Sequence, residues 1–432
     1  MTVTVITGGT ILDQSGRRDA DVAVDNASGL IVGVGSGLDG DETLDASGCV
    51  VSPAFVDLDV HVREPGFEGA ATALETSRGA ALGGFGAIVA MPDTDPCADE
   101  AAVLTDVARR SGGGLAAIVP AAALTARRAG TGLAPLGELA EAGARIFTDG
   151  DRRITDGGIA RRVLEYLRSV EDAAGVELVA AQPPLRPDLD GAGVMHEGMW
   201  SAGMGLPGAP SLAEELAVAE LIGLSRITGA AIHIQQVSTA AAVAAIDAAK
   251  ADGVRVTAEV SPHHLTLVDE AASGYDPNVK LRPPLRPAPD REALVDGLRR
   301  GVIDAVATRH APWPADAKEQ PFADAPFGAL GLETAVASIL TLTDLTIDEI
   351  VPALSWGPAA IAGLGADHGT PIVVDRPANL AVIDPAESWT VERASFGGHA
   401  ANSPFLGREL TGRVRHTIHR GDAVVVNAKA VR

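Results

Sequence analysis

Ala54-Phe55-Val56-Asp57-Leu58-Asp59-Val60-His61-Val62-Arg63-Glu64-Pro65-Gly66 is the stretch on which the fold turns. Its first half is apolar enough for a strand buried on both faces, and the Glu64-Pro65-Gly66 turn stops it. Outward from it the same texture recurs, with short apolar runs at 87–91, 117–119, 145–148, 177–180, 232–234, 256–260 and 305–308. Between the runs lie Ala/Leu/Glu/Arg-rich stretches with helical spacing, such as 159–167 and 213–227. Eight strand-then-helix units predict a closed (β/α)8 TIM-type barrel over 53–371 rather than an open sheet. The ends, 1–52 and 372–432, read instead as short strands with turns. They are expected to pack together as one small β-sandwich domain built from both termini.

Composition narrows the functional classes. The 432 residues carry 34 Lys+Arg against 57 Asp+Glu, a net charge of −23, and 46% are hydrophobic. That much apolar material builds a large core and excludes disorder as a description of the whole. The acidic balance excludes nucleic acid as a partner. No apolar stretch approaches the ~20 residues of a membrane span. The first residues show no basic region leading into a long apolar run, so a cytoplasmic protein is expected. The two cysteines, Cys49 and Cys97, make neither a disulfide framework nor a thiolate cage. A metal here would rest on His and carboxylates.

Chemistry in such a barrel sits at the C-terminal ends of the strands. After the first strand, alternation points Asp57, Asp59 and His61 to one side. Two carboxylates and an imidazole on one face could bind a metal, hold a cation or pair with arginines. Further motifs follow other strands: Met91-Pro92-Asp93-Thr94-Asp95-Pro96, Phe147-Thr148-Asp149-Gly150, Gln236-Val237-Ser238-Thr239, Pro283-Pro284-Leu285-Arg286, Thr308-Arg309-His310-Ala311-Pro312 and Pro326-Phe327-Gly328. With the segment 57–66 they resemble, in order and over nearly the whole chain, the motifs of the dihydroorotases, cyclic-amide hydrolases of the amidohydrolase superfamily.

The resemblance implies one or two zinc ions at the barrel mouth, and most positions it assigns to their ligands are replaced. The first strand-one histidine falls on Asp59, and the second is kept as His61. The bridging aspartate falls on Gly150, the histidine after strand five on Ala181 and the histidine after strand six on Gln236. The aspartate that doubles as general base falls on Arg309, which can neither ligate a metal nor accept a proton. The expectation is therefore no cofactor, with Arg309 reaching Asp59, Asp57 or Asp149 in compensation. In the substrate shell the resemblance keeps Arg63, as a grip on a substrate carboxylate, and the Phe327-Gly328 loop. Its asparagine after strand two is Asp93, its asparagine before the Pro-Pro pair is Arg282, and a histidine after strand eight is Trp313. Asp93 would repel an anionic substrate unless Arg282 pairs with it, and Trp313 is read as a plug. His263 and His264 are read as packing and loop groups, and His310, beside Arg309, as a residue that would meet a metal only in a remodelled site.

The expectation that follows is a catalytically inactive dihydroorotase-like protein of pyrimidine biosynthesis, an oligomer acting as structural or regulatory partner of aspartate carbamoyltransferase. The alternative is an active dihydroorotase that opens dihydroorotate to N-carbamoyl-aspartate in a rebuilt, metal-poor site. Under it a single zinc would sit on Asp59, His61 and His310, or Arg309 would act as electrophile toward the amide oxygen. A third reading is an anion sensor using Arg63 and Arg282.

Overall fold

Each apolar run becomes a strand, and the eight are parallel. They span Phe55–Val60, Phe85–Ala90, Ala117–Pro120, Ile146–Phe147, Val179–Gln182, Ala231–Ile234, Val256–Val260 and Ala305–Val306 in the computed structural model. The structure describes residues 2–110 and 112–431. Met1 and Arg432, which the sequence reading placed in the terminal β domain, and Ser111 lie outside the described residues. Strands one to three pair as one sheet, and strands four to eight as another. Two seams close the barrel. Ala122 pairs with Phe147 between strands three and four, and the His61 amide donates to the His310 carbonyl at 2.9 Å between strands eight and one.

Helices over the barrel's outside start where the sequence supplies caps. Thr72 and Glu75 form a capping box for Ala73–Leu82, Asp156 caps Gly157–Ala174, and Thr239 caps Ala240–Ala251. Inside the barrel, small apolar side chains such as Val56, Ala87, Val89, Ala181 and Ala305 fill the space below the mouth, against Ala359 and Ala362. Phe55 and Phe85 meet edge to face, with ring centroids 5.6 Å apart and both rings fully buried. The arrangement is the (β/α)8 barrel expected from the repeating runs.

Both ends of the chain contribute to the flanking β domain. A four-stranded sheet is built from residues 3–45 alone, whereas a seven-stranded sheet joins four C-terminal strands edge to edge with three N-terminal ones. In it Leu380–Thr390 pairs antiparallel with Val50–Pro53, placing Leu380 opposite Pro53. Ile6, Val24, Val51, Leu380 and Ile418 pack between the sheets. This pairing anchors the start of the first barrel strand, because Ala54 follows directly and its amide donates to Asn379 O at 2.9 Å.

One detail departs from simple alternation. Pairing of the first and second strands shifts register between Asp57 and Val60, a bulge at Leu58-Asp59. Asp57 and Asp59 are thereby separated in role. Asp57 accepts backbone amides from Thr308 and Asp59, while Asp59 is free to face the mouth.

Phe85→Ala removes a fully buried ring that the close-packed strands cannot collapse around. It is expected to cost about 3–5 kcal/mol, read as a lowered thermal unfolding midpoint with barrel helix content otherwise kept.

Candidate active site at the barrel mouth

The first strand delivers Asp59 and His61 to the mouth, and the eighth delivers Arg309. The Arg309 Nη1 lies 3.1 Å from Asp59 Oδ2, with the carboxylate side chain 1% and the guanidinium 11% exposed. Of the three partners proposed for this cation from sequence, Asp59 is the one it meets. Asp57 is held instead by the Thr308 amide, and burial, reinforced by the nearby Glu259, pushes its carboxyl up to about 8. Asp149 is turned instead to the loop after strand three, accepting from the Leu124 and Thr125 amides and the Thr125 hydroxyl.

From Asp59 a chain of alternating groups continues. His61 Nε2 is 4.0 Å from Asp59 Oδ1, an oxygen that is buried without a hydrogen-bond partner in the protein. On its other side His61 Nδ1 lies 2.7 Å from Asp93 Oδ2, and that oxygen also accepts from Arg63 Nη1 at 3.2 Å. The Arg63 guanidinium stacks on Trp313 at 4.5 Å. Burial opposes ionisation of Asp93, but His61 and Arg63 together outweigh it and hold the carboxyl well below the usual range. For Arg63, burial outweighs the neighbouring carboxylates and lowers the guanidinium from its ordinary value.

Asp93 therefore does not stand as a repelling charge awaiting Arg282. Arg282 lies elsewhere, 3.9 Å from Asp190 and over the Phe327 ring at 5.6 Å. Trp313 forms a wall more than a plug, its Nε1 donating to Phe327 O at 2.9 Å. Gly328 has φ +111, and a Cβ there would fall 2.6 Å from the Ala311 Cβ, so the Phe327-Gly328 loop needs its glycine. Three non-glycine residues at the ends of strands one, six and eight also have left-handed backbone: Arg63 (φ 70), Gln236 (φ 51) and Arg309 (φ 48). Such conformations cost energy and cluster at functional sites.

The remaining positions tied by resemblance to metal are now placed. Ala181 is sealed in the apolar barrel interior. Gln236 Nε2 donates to Glu259 Oε1 at 2.8 Å, and Glu259 pairs through its other oxygen with His233 Nε2 at 3.0 Å. Gly150 has φ +67, and a Cβ there would meet Arg128 Nη2 at 3.2 Å. Arg128 thus occupies the space a bridging carboxylate would need. Nothing in the spacing around Arg128 marks it, and the signal available in the sequence is the glycine opposite. His310 is no ligand either. Burial pushes its imidazole down to about 3, and Nδ1 accepts from the Gly331 and Leu332 amides at 3.3 and 3.4 Å.

A metal of the kind the resemblance implies needs three or more such donors in fixed geometry. Among the described residues, no group of three or more His, Cys, Asp or Glu side chains could hold one. The donors present do not fit the family's zinc, nor the single-metal set of Asp59, His61 and His310. Among the described residues no helix is long and apolar enough to cross a membrane.

The Asp59–Arg309 pair makes a testable claim about stability. Arg309→Met leaves a buried carboxylate facing no cation and is expected to cost about 3–5 kcal/mol. The Asp59→Asn/Arg309→Met double variant is expected to regain most of that loss in thermal unfolding. Equal losses in the two variants would show that the pair is not the cause.

Comparison with known proteins places these features in context. The family profile described as Dihydro-orotase-like matches residues 48–242. A protein named dihydroorotase from Anaeromyxobacter dehalogenans is 42% identical, covering 100% of this chain and 99% of its own. Those from Citrifermentans bemidjiense and Streptomyces coelicolor are each 39% identical, over 97% and 99% of this chain and 99% and 100% of theirs. Among solved structures, the L-hydantoinase (dihydropyrimidinase) from Arthrobacter aurescens superposes with a TM-score of 0.87 at 22% identity, covering 100% of this chain and 98% of that one. At that identity it bears on the fold alone.

These relationships correct two expectations drawn from the lost ligands. Near-40% identity along the whole chain to proteins named dihydroorotase favours the active alternative over an inactive partner of aspartate carbamoyltransferase. The expectation of no cofactor falls with it, since a metal belongs to what that kinship implies. What the chain itself contributes is a mouth rebuilt around guanidinium–carboxylate pairs, which does not fit that metal's usual donors.

Proposed function

Since the chain belongs to the dihydroorotase family, we propose that it is a cyclic-amide hydrolase that interconverts dihydroorotate and N-carbamoyl-aspartate at this barrel mouth. The observation that carries the reading is the end-to-end similarity to dihydroorotases, 42% over all of this chain in one case. Arg63, held by Asp93 and stacked on Trp313, is a pre-oriented grip for the ring carboxylate.

Opening the ring amide needs a polarised carbonyl, an activated water and a proton for the departing nitrogen. Asp93 is acceptor-only when ionised, so the short contact assigns the proton to His61 Nδ1 and leaves the Nε2 lone pair facing Asp59 Oδ1. A single water can bridge the 4.0 Å between those two atoms. His61 Nε2 takes its proton as the water oxygen bonds to the ring carbonyl carbon. The Arg309 guanidinium, beside Asp59, hydrogen-bonds the oxyanion that develops. The imidazolium then gives the same proton to the ring nitrogen as the carbon–nitrogen bond breaks. The new carboxylic acid loses its remaining proton to solvent. In this scheme Asp93 positions and charges the base in the manner of a triad carboxylate. A bound divalent metal would add Lewis-acid polarisation, but the donor set does not assemble one and the steps run on side chains.

The test is dihydroorotate consumption, with metal content measured on the same sample before and after zinc is added. Turnover above the buffer rate is expected, with His61→Gln lowering kcat by about 100-fold or more. Asp93→Asn is expected to lower kcat at least about tenfold, with the fold unchanged. No turnover at any metal loading would end the hydrolase reading.

A further inference from the structure

The rebuilt mouth holds three guanidiniums, each facing a different carboxylate: Arg309 with Asp59, Arg63 with Asp93 and Arg128 with Asp151. The pairs are not equivalent. Asp59 and Asp93 are enclosed by the barrel, whereas the Asp151 side chain is 53% exposed while Arg128 is 9% exposed. Only the third carboxylate can swing into water without being buried unpaired, and doing so frees a guanidinium that stays in place. Arg128 is held independently of Asp151, since its Nε donates to Asp149 O at 2.9 Å and Asp149 is itself fixed by the Leu124 and Thr125 amides.

The backbone supports the same conclusion from the other side. Gly150 carries φ +67, and a Cβ there would stand 3.2 Å from the Arg128 Nη2, tight against the guanidinium. The glycine admits a cation to the place where the resemblance puts a metal-bridging carboxylate. Arg63 lies within electrostatic range of both Arg128 and Arg309, so the three cations share one mouth.

We propose that Arg128 is a ligand-binding residue that receives the second carboxylate of a dicarboxylate, with Arg63 gripping the first and Arg309 beside them. In the hydrolase reading, on which the natural ligand's identity rests, the second carboxylate is the one that ring opening creates. Arg128 would then favour the open product over the ring, which carries a single carboxylate. Charge-assisted hydrogen bonds from an arginine already in position give this discrimination without reorganising the site.

Calorimetric titration with succinate and butyrate tests the proposal apart from catalysis. The two share a four-carbon skeleton, differ by one carboxylate, and neither is a cyclic amide. Succinate is expected to bind the wild-type protein about 10–100-fold more tightly. Arg128→Gln is expected to erase most of that difference while changing butyrate binding less than about threefold. Should Arg128→Gln fail to fold, Asp151→Asn decides the matter, because removing the exposed competitor should tighten succinate several-fold and leave butyrate unchanged. Succinate binding no tighter than butyrate, a folded Arg128→Gln protein that still discriminates, or an Asp151→Asn protein with unaltered succinate affinity would each overturn the assignment. Absence of dihydroorotate turnover would instead count against the hydrolase reading and leave these binding outcomes to stand on their own.

Discussion

Arg309 and Asp59 face each other 3.1 Å apart at the point where the barrel's last strand meets its first, and the rest of the mouth is arranged around them. A carboxylate this deeply buried needs a counter-charge, because desolvating it alone costs several kcal/mol. Arg309 supplies that charge at the cost of a left-handed backbone (φ 48), and the bulge at Leu58-Asp59 aims the carboxylate at it. From there carboxylates alternate with nitrogen-bearing groups along one line: Arg309, Asp59, His61, Asp93, Arg63. No carboxylate in the line lacks a cation or imidazole beside it. Trp313 then fixes the far end by stacking on Arg63.

The histidines around this line carry no charge of their own. Burial pushes His263 down to about 4, and His264 and His310 to about 3, so they act as neutral hydrogen-bonding groups tied to backbone atoms and to Ser261. The field at the mouth is thus set by arginine–carboxylate pairs. Glu259, His233 and Gln236 form a second closed network in the barrel interior, which uses the glutamine as a donor where the resemblance has a ligand.

Much of this was legible in the sequence, and the illegible part has a common cause. The eight apolar runs announce the barrel because a strand buried on both faces leaves little freedom in composition. The replacement of a proton acceptor by Arg309 is equally plain, since guanidinium chemistry is independent of context. Pairing is not. Asp93 looks like a repelling anion until the fold shows that His61 and Arg63 converge on it, and Arg282 looks like its partner although it sits against Asp190 and Phe327. Alternation placed Asp57 and Asp59 on one face, and a bulge invisible to spacing parted them. Arg128 went unseen because its significance lies in the glycine opposite it. Reading loss of ligands as loss of function treated each position separately, whereas Asp59, Asp93 and Arg309 join His61 and Arg63 in one connected network.

That network constrains what chemistry the mouth can perform. A guanidinium keeps its proton across the physiological range, so Arg309 can polarise a carbonyl or hold an anion but cannot generate a nucleophile. Of the groups along the line, Asp59 and Asp93 are committed to cations, and Arg63 is committed to Asp93 and Trp313. His61 presents a nitrogen able to accept a proton, set toward an unpartnered oxygen of Asp59. If the barrel opens a ring amide, the proton must therefore pass through that nitrogen, and the electrostatic work must fall to the arginines. The division is the reverse of a metal site, where one ion both polarises the carbonyl and acidifies the water. Splitting the two tasks between an imidazole and a fixed cation explains why the Asp93–His61 contact matters as much here as the Asp59–Arg309 pair that makes room for it.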